Sequence, residues 1–140
     1  MKALIKKTIN RLINKLKFRY LTTRYFLDKP KTLYHPLPWI GLNKAKRGKG
    51  SKVRLELINK VLNGSVGSVF DFGCAEGYFS ISLAKDGHNV LALETKKDRY
   101  EIAKLVSDIV GLKNISFLNM KVDEKKIKYF PISDFTLCLA

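Results

Sequence analysis

A strand, a glycine turn and a helix follow one another across residues 66–84, and this pattern constrains the fold more than any other feature of the chain. An apolar run that contains a single acid, Asp71, ends at Gly73, and a second glycine, Gly77, follows four residues later. Residues 78–84 then have the composition of a helix. Because glycine lacks a Cβ, both positions permit a positive φ and leave room for a ligand. The arrangement is typical of nucleotide-binding turns in α/β proteins.

The spacing within this turn argues against a dinucleotide. A dinucleotide site has the pattern Gly-x-Gly-x-x-Gly, whereas this chain has Ala75 at the second glycine and Glu76 where a pyrophosphate would lie. A carboxylate at that position favours a ligand with a cationic end, such as an ammonium or sulfonium group. A second apolar stretch, residues 89–94, ends in Glu94. An acid at the end of the second strand is suited to hold the two hydroxyls of a ribose.

These residues resemble two motifs of the class I S-adenosylmethionine-dependent methyltransferases. The first match is the turn at residues 71–77, and the second is the acidic end of strand two. The resemblance covers residues 53–140, the first part of that fold, and it implies S-adenosyl-L-methionine as the cofactor. In the family the acids of the turn lie near the ammonium group of the cofactor. The resemblance assigns cofactor binding to Asp71, Phe72, Gly73, Cys74, Ala75, Glu76, Gly77, Glu94, Thr95 and Asp123.

The resemblance weakens after the third strand, where many members of the family hold the adenine amino group with an acid. The equivalent position lies near Lys121, and the nearest acid is Asp123. Asp123 is a candidate if the strand is shifted, and otherwise the adenine is held by backbone and apolar contacts. The family's substrate-activating base lies at or beyond the end of strand four, so the catalytic residue and the methyl acceptor stay unknown. A small molecule, lipid or glycan is the favoured acceptor, with RNA as the alternative.

Strands and helices alternate along the rest of the chain, which predicts an α/β fold with a Rossmann-like, doubly wound parallel sheet. A capping box at residues 95–98 is expected to begin the second helix of this series, which ends at Gly111. Residues 130–140 have the composition of the entry into strand four, so the sheet is expected to be truncated at that strand. The predicted strands span residues 68–73, 89–94 and 115–122, and the first helix spans residues 77–86.

Three segments differ in composition. Residues 1–27 are a basic amphipathic helical arm, residues 28–50 are a Pro-rich, basic linker or lid, and residues 51–140 are an incomplete methyltransferase domain. Four side chains make the linker too apolar to be free, so we expect it to pack on the domain or line its cleft. These are Tyr34, Leu37, Trp39 and Ile40, of which Trp39 is the best candidate for a lid contact. Ser51 is expected to cap the helix that follows.

Charge separates the arm from the domain. Residues 1–60 hold 17 lysines and arginines and 2 acids, whereas residues 61–140 hold 10 of each. Such asymmetry predicts an anionic partner for residues 1–60. Apolar residues at helical spacing within residues 3–21 leave three alternatives for the arm. The apolar stripe packs on the domain, it lies on an anionic membrane surface, or the arm contacts RNA phosphates.

The remaining sequence features exclude several classes of protein. The two cysteines, Cys74 and Cys138, give no disulfide framework, and neither they nor the two histidines have metal-ligand spacing, so we expect no metal. The residues from Met1 onward lack the features of a signal peptide. We therefore expect a cytoplasmic protein, with peripheral attachment at the inner membrane face as an extension of the membrane alternative. The rival to an enzyme is a non-catalytic, cofactor-binding fragment that acts through its basic arm.

Overall fold

A four-stranded parallel sheet organises the chain in a computed structural model that describes residues 1–27 and 33–139. The strand order is β3-β2-β1-β4. A short 3-10 turn, Pro38–Ile40, lies between the first two helices. In chain order the elements are α1 (Lys2–Leu27), α2 (Gly48–Leu62), β1 (Ser68–Phe72), α3 (Tyr78–Lys85), β2 (Asn89–Glu94), α4 (Lys97–Val110), β3 (Ile115–Asn119), α5 (Glu124–Ile127) and β4 (Phe135–Cys138).

The sheet is wound in both directions from β1. The chain runs outward from β1 to β2 and β3, then returns to pair β4 with the other edge of β1, and every pairing is parallel. Val69 of β1, for example, is in register with Val90 of β2 and with Phe135 of β4. In sheets of this kind, ligands bind outside the carboxyl ends of the strands at the point where the winding direction reverses. The predicted Rossmann-like α/β fold is confirmed, and the reversal lies between β1 and β4.

The burial of the strands explains their sequences. Val69, Phe70 and Asp71 of β1 are all buried, as expected of a central parallel strand that is covered on both faces. In β3 and β4 no residue is fully buried, because each pairs with one neighbouring strand in the part of the chain that the structure describes. The core therefore lies around β1 and β2, next to the glycine turn.

Two predicted strand boundaries differ from the structure. The third strand ends at Asn119, three residues before its predicted end, and the amide of Asn119 is used in hydrogen bonds to the end of β2. The chain then forms α5, a short helix that the sequence did not predict, with Asp123 as its N-cap. The fourth strand begins only at Phe135.

Both predicted N-caps were wrong, whereas the predicted helix end at Gly111 is confirmed. α2 begins at Gly48, so Ser51 lies inside it, and its hydroxyl donates to the backbone oxygen of Arg47 at 2.6 Å. The capping box at residues 95–98 does not form. The N-cap of α4 is Lys96, without a side-chain cap, while the hydroxyl of Thr95 donates to Glu94 Oε1 at 3.3 Å.

The described part of the predicted linker forms a compact loop, residues 33–47, on the domain. Leu37 pairs with Leu42 through two backbone hydrogen bonds of 2.7 and 3.1 Å. Leu33 and Leu37 are buried in a cluster with residues of α3 and α4, and Trp39 and Ile40 pack half-buried against the same cluster. The expected packing of this segment on the domain is confirmed.

The helix α1 contacts α4, but its apolar stripe is exposed. Phe18 is half-buried against the cluster that contains Leu37 of the loop and Ile102 of α4. The apolar side chains earlier in the helix are not packed on the domain. Leu4, the most exposed of them after Met1, is 70% exposed. The alternative that the stripe packs on the domain is therefore wrong. No helix within the described ranges, α1 included, combines the length and the apolar character that crossing a membrane requires.

Candidate functional site

The glycine turn, residues 73–77, leads from the carboxyl end of β1 into α3 and is tied to the neighbouring strand. The backbone nitrogens of Gly73 and Cys74 both donate to the carbonyl of Leu93 at 2.9 Å. Within the turn, the nitrogen of Gly77 donates to the carbonyl of Cys74 at 2.9 Å. The turn is therefore held at the carboxyl ends of β1 and β2, where sheets of this kind bind ligands.

The two glycines of the turn serve different purposes. Gly73 has φ +78°, and a Cβ added there would meet no atom within 4 Å, so open space lies beside it. Gly77 has φ +86°, and a Cβ added there would lie 3.0 Å from the Cβ of Ala103. Gly77 therefore permits close packing of α3 on α4, whereas the sequence interpretation gave it the same ligand-facing role as Gly73. Of these two glycines, Gly73 is the one that borders open space.

Ala75 also has a positive φ, +52°, which costs a non-glycine residue about 1–2 kcal/mol. Its backbone nitrogen donates to Glu94 Oε2 at 2.9 Å, and this hydrogen bond is buried. The carboxylate of Glu94 therefore holds the turn in its strained conformation.

Glu94 links three segments at the carboxyl end of β2. Its Oε1 accepts from the backbone nitrogen of Lys96 at 2.8 Å, while Oε2 accepts from Ala75. The carbonyl of Glu94 accepts from Nδ2 of Asn119 at 2.8 Å, a contact that motif analysis missed although a polar residue at the end of a strand could have signalled it. The hydroxyl of Thr95 also donates to Oε1, at 3.3 Å. A carboxylate offers about four acceptor sites, so its three bonds leave about one site for the predicted ribose contact.

Asp71 places a buried carboxylate beside the turn. It is 2% exposed, and the hydroxyl of Ser80 donates to its Oδ2 at 2.5 Å. Burial raises the pKa of Asp71 from its ordinary value of 3.8 to about 6; the Ser80 hydrogen bond opposes this shift, and the charge of Glu94 adds to it. Above pH 6 the group is an anion in the interior, where a cationic ligand group would stabilise it.

Glu76 connects the turn to the loop at residues 33–47. It is fully buried, accepts from the backbone nitrogen of Tyr34 at 3.2 Å, and lies 3.7 Å from Nε of Arg99. The guanidinium groups of Arg99 and Arg47 lie 5.3 and 5.5 Å from the centre of the Tyr34 ring. Tyr34 is one of the residues expected to pack on the domain or line its cleft, whereas no motif pointed to Arg99. The role of Glu76 toward a ligand stays a prediction.

His35 fixes the same loop against the start of α3. Its Nδ1 lies 2.7 Å from the hydroxyl of Ser51, and its ring centre is 5.0 Å from that of Phe79 and 6.1 Å from that of Tyr78. Burial lowers the pKa of His35 to about 4, with smaller contributions from three arginines, chiefly Arg54. His35 is therefore neutral at pH 7 and acts as a docking contact. The ring of Trp39, the predicted lid residue, lies 5.9 Å from that of Tyr78.

The other predicted site residues have varied surroundings. Phe72 is half-buried, with its ring centre 4.1 Å from that of Phe70. Cys74 is buried, and burial raises the pKa of its thiol, which stays protonated. Thr95 is exposed at the rim of the site.

Asp123 caps the short helix α5. Its Oδ1 accepts from the backbone nitrogen of Lys126 at 3.0 Å, and its Oδ2 lies 3.4 Å from Nζ of the same lysine. The structure thus ties the turn to the end of β2, through Leu93 and through the bond between Ala75 and Glu94, while Asp71 bonds Ser80 and Glu76 bonds Tyr34. The hydrogen bonds of the Asp123 side chain stay at the start of α5. Within residues 1–27 and 33–139, no group of three histidine, cysteine or acidic side chains is arranged to hold a metal ion.

Similar proteins of known sequence are methyltransferases. No protein-family model matches the chain. The ubiquinone biosynthesis O-methyltransferase of Erwinia tasmaniensis is 31% identical over 88 residues, which are 62% of this chain and 36% of that protein. The 23S rRNA (uracil(1939)-C(5))-methyltransferase RlmD of Aliivibrio fischeri is 29% identical over 105 residues, 72% of this chain and 22% of that protein. The chain therefore spans well under half the length of the curated relatives it matches.

Two solved structures are similar over most of the chain. The N-terminal domain of EvdMO1, crystallised in the presence of SAH and D-fucose, has a TM-score of 0.58 at 20% identity and covers 68% of this chain and 41% of that chain. The bifunctional kinase-methyltransferase WbdD has a TM-score of 0.54 at 18% identity and covers 74% of this chain and 23% of that chain. At these identities the similarity establishes a shared fold.

Proposed function

Because the chain has the fold of the class I S-adenosylmethionine-dependent methyltransferases, as its motifs predicted, we propose that it binds S-adenosylmethionine at the glycine turn and supports methyl transfer. The observation that carries the proposal is the open space beside Gly73 at the carboxyl end of β1. Two buried carboxylates belong to the strands that end here: Asp71 lies two residues before Gly73 on β1, and Glu94 at the end of β2 holds the turn through Ala75. A similar domain, that of EvdMO1, was crystallised in the presence of SAH, which supports the same ligand here.

Three features of the site fit this cofactor. Gly73 lets the backbone approach the ligand, because no side chain fills the space beside it. Asp71 offers a buried negative charge to the ammonium of the methionine portion, directly or through water. Glu94 retains about one acceptor site for a ribose hydroxyl while its present hydrogen bonds hold the turn.

The bound cofactor would supply a methyl group on a sulfonium, which a nucleophile of the acceptor takes by in-line displacement. The residues of this chain would hold and orient the reactants, and orientation alone contributes substantially to the rate of such a displacement. The loop at residues 33–47 would border the site, because Tyr34 is bonded to Glu76 of the turn and Trp39 packs on Tyr78 of α3. This placement supports a lid role for the described part of residues 28–50.

We propose a small molecule, lipid or glycan as the acceptor. RNA is the second candidate, and two observations favour it. The rRNA methyltransferase RlmD is among the similar proteins, and the positive charge excess lies in residues 1–60. Two free cysteines, Cys74 and Cys138, fit a reducing compartment, which supports a cytoplasmic protein.

Calorimetric titration of the whole chain with S-adenosylhomocysteine tests the proposal. Glu94→Gln is the informative variant, because both carboxylate oxygens accept backbone N–H groups and an amide can serve only one of them. We expect the wild type to bind and the variant to bind at least about tenfold more weakly. Glu101→Gln on α4 is the matched control, since Glu101 pairs with the exposed Lys97 at 3.9 Å. No binding by the folded wild type, or equal binding by Glu94→Gln, would overturn the proposal.

A further inference from the structure

The apolar stripe of α1 faces away from the domain. With about 100° of rotation per residue, the helix backbone places six apolar residues within an arc of about 100°. Each of them is between 41% and 63% exposed: Ile5, Ile9, Leu12, Ile13, Leu16 and Tyr20. Phe18 lies on the opposite side of the helix and is half-buried against the cluster that includes Ile102 of α4. The contact with α4 therefore leaves the stripe uncovered.

Positive charge borders this stripe on both sides. Lys6 lies beside one edge and Lys15 beside the other, and both are exposed. The 26 residues of α1 include eight lysines and arginines and no acid. A contiguous exposed apolar patch with a basic border is uncommon on a free protein surface and marks an interaction site.

The combination favours lipid over nucleic acid. Phosphates of RNA attract lysine and arginine but give no reason for six apolar side chains to stay exposed. A helix with an apolar face and basic flanks lies in the plane of an anionic bilayer, with the apolar face at the boundary of headgroups and acyl chains. The charge of α1 is complementary to anionic lipid headgroups.

We propose that the stripe of α1 binds the surface of an anionic lipid bilayer, with the helix axis parallel to that surface. Residues 5–20 span about 23 Å along the helix axis, and over this length the six side chains form a continuous line of contact. The contact with α4 through Phe18 lies on the other side of α1 and stays intact. This inference does not rest on the proposed methyl transfer.

Vesicle flotation with the whole chain tests the inference. The probes are phosphatidylcholine vesicles with and without about 30% phosphatidylglycerol. The stripe variant combines Leu12→Gln with Leu16→Gln, which removes apolar contact without changing charge. The matched control combines Ala3→Gln with Asn10→Gln, two exposed positions on the other side of the helix.

We expect the wild type and the control to float with the anionic vesicles and the stripe variant to partition at least about tenfold more weakly. All three should bind pure phosphatidylcholine weakly and lose binding to anionic vesicles as salt is raised. Equal flotation of the stripe variant, or no flotation of the wild type, would overturn the inference.

Two further measurements test whether RNA or a second copy of the chain binds this face instead of lipid. If an oligouridylate binds wild type and stripe variant equally while neither floats, the surface serves nucleic acid and the inference fails. If sedimentation equilibrium shows a wild-type oligomer that the stripe variant abolishes, without flotation, a second copy covers the stripe and the inference fails again. Titration with S-adenosylhomocysteine should be unchanged in the stripe variant, so this result is independent of the cofactor proposal.

Discussion

The region of the glycine turn buries charged side chains, whereas the helix α1 exposes apolar ones. Around the turn, the carboxylates of Asp71, Glu76 and Glu94 are buried and hydrogen-bonded to the protein. Along α1, apolar side chains such as Leu16, at 59% exposure, lie in solvent. Burying a charge and exposing an apolar stripe both cost free energy relative to the reverse arrangement. Each departure fits the partner proposed above: a cationic ligand at the turn and a lipid surface on α1.

The largest expected difference is in the free energy of unfolding that is lost when an isoleucine is truncated in the domain core and on α1. Ile102 of α4 is 1% exposed and belongs to the cluster beneath the loop at residues 33–47. Ile102→Ala should lower the free energy of unfolding by about 2–5 kcal/mol, because it leaves a cavity. Ile9→Ala on α1 should change it by less than about 0.5 kcal/mol, since Ile9 is 51% exposed. Urea denaturation measures both, and comparable losses would mean that the stripe is part of the core.

The second prediction concerns a buried polar group of the domain. The pKa of His35 is lowered to about 4, so the folded state keeps the ring neutral while the unfolded chain binds a proton below its ordinary pKa of 6.5. Stability from this group is present above pH 6.5 and is lost as the pH falls toward 4, by up to about 3 kcal/mol.

His35→Gln keeps a polar partner for Ser51 and removes this titration. The variant should therefore lose less stability than the wild type between pH 6.5 and 4, as measured by urea denaturation at each pH. Lys6→Gln on α1, a solvated cation, should leave the pH dependence unchanged. Parallel curves for the wild type and His35→Gln would contradict the burial of a neutral imidazole.

The third and smallest effect concerns ligand binding at the turn. The pKa of Asp71 is raised to about 6, so acidification from pH 7 to pH 5 protonates most of the carboxylate. If Asp71 attracts the ammonium of the cofactor, affinity for S-adenosylhomocysteine should fall about tenfold over this range. Asp71→Asn should bind more weakly at pH 7 and show no such dependence. Equal pH dependence in the wild type and the variant would remove Asp71 from the ligand site.

Local sequence patterns predicted the two strands next to the turn, β1 and β2, well. Apolar runs end at glycines or acids near the observed boundaries, so β1 and β2 lie within one residue of their predicted spans. The positive φ at Gly73 was also predictable from the residue type, because only glycine adopts a positive φ without strain. The fold class followed from the alternation of these local elements.

Long-range contacts explain what the sequence did not predict. Glu94 holds Ala75, 19 residues away, and Glu76 holds Tyr34, 42 residues away, and no spacing rule connects these pairs. Ser51 has the composition of a cap, yet it lies inside α2, where its hydroxyl meets His35 from a separate loop. The periodicity of α1 predicted a helix, but its exposure depends on the surface of α4.

Equilibrium dialysis with labelled S-adenosylmethionine tests the central claim, that the open space beside Gly73 binds the cofactor. Gly73→Val fills this space, and Gly111→Val at the end of α4 imposes the same backbone strain, since Gly111 has φ +83° and also borders open space. Circular dichroism would verify that both variants fold. We expect the wild type and Gly111→Val to bind and Gly73→Val to lose binding by at least about a hundredfold. Equal binding by the two folded variants would contradict the assignment of the turn as the cofactor site.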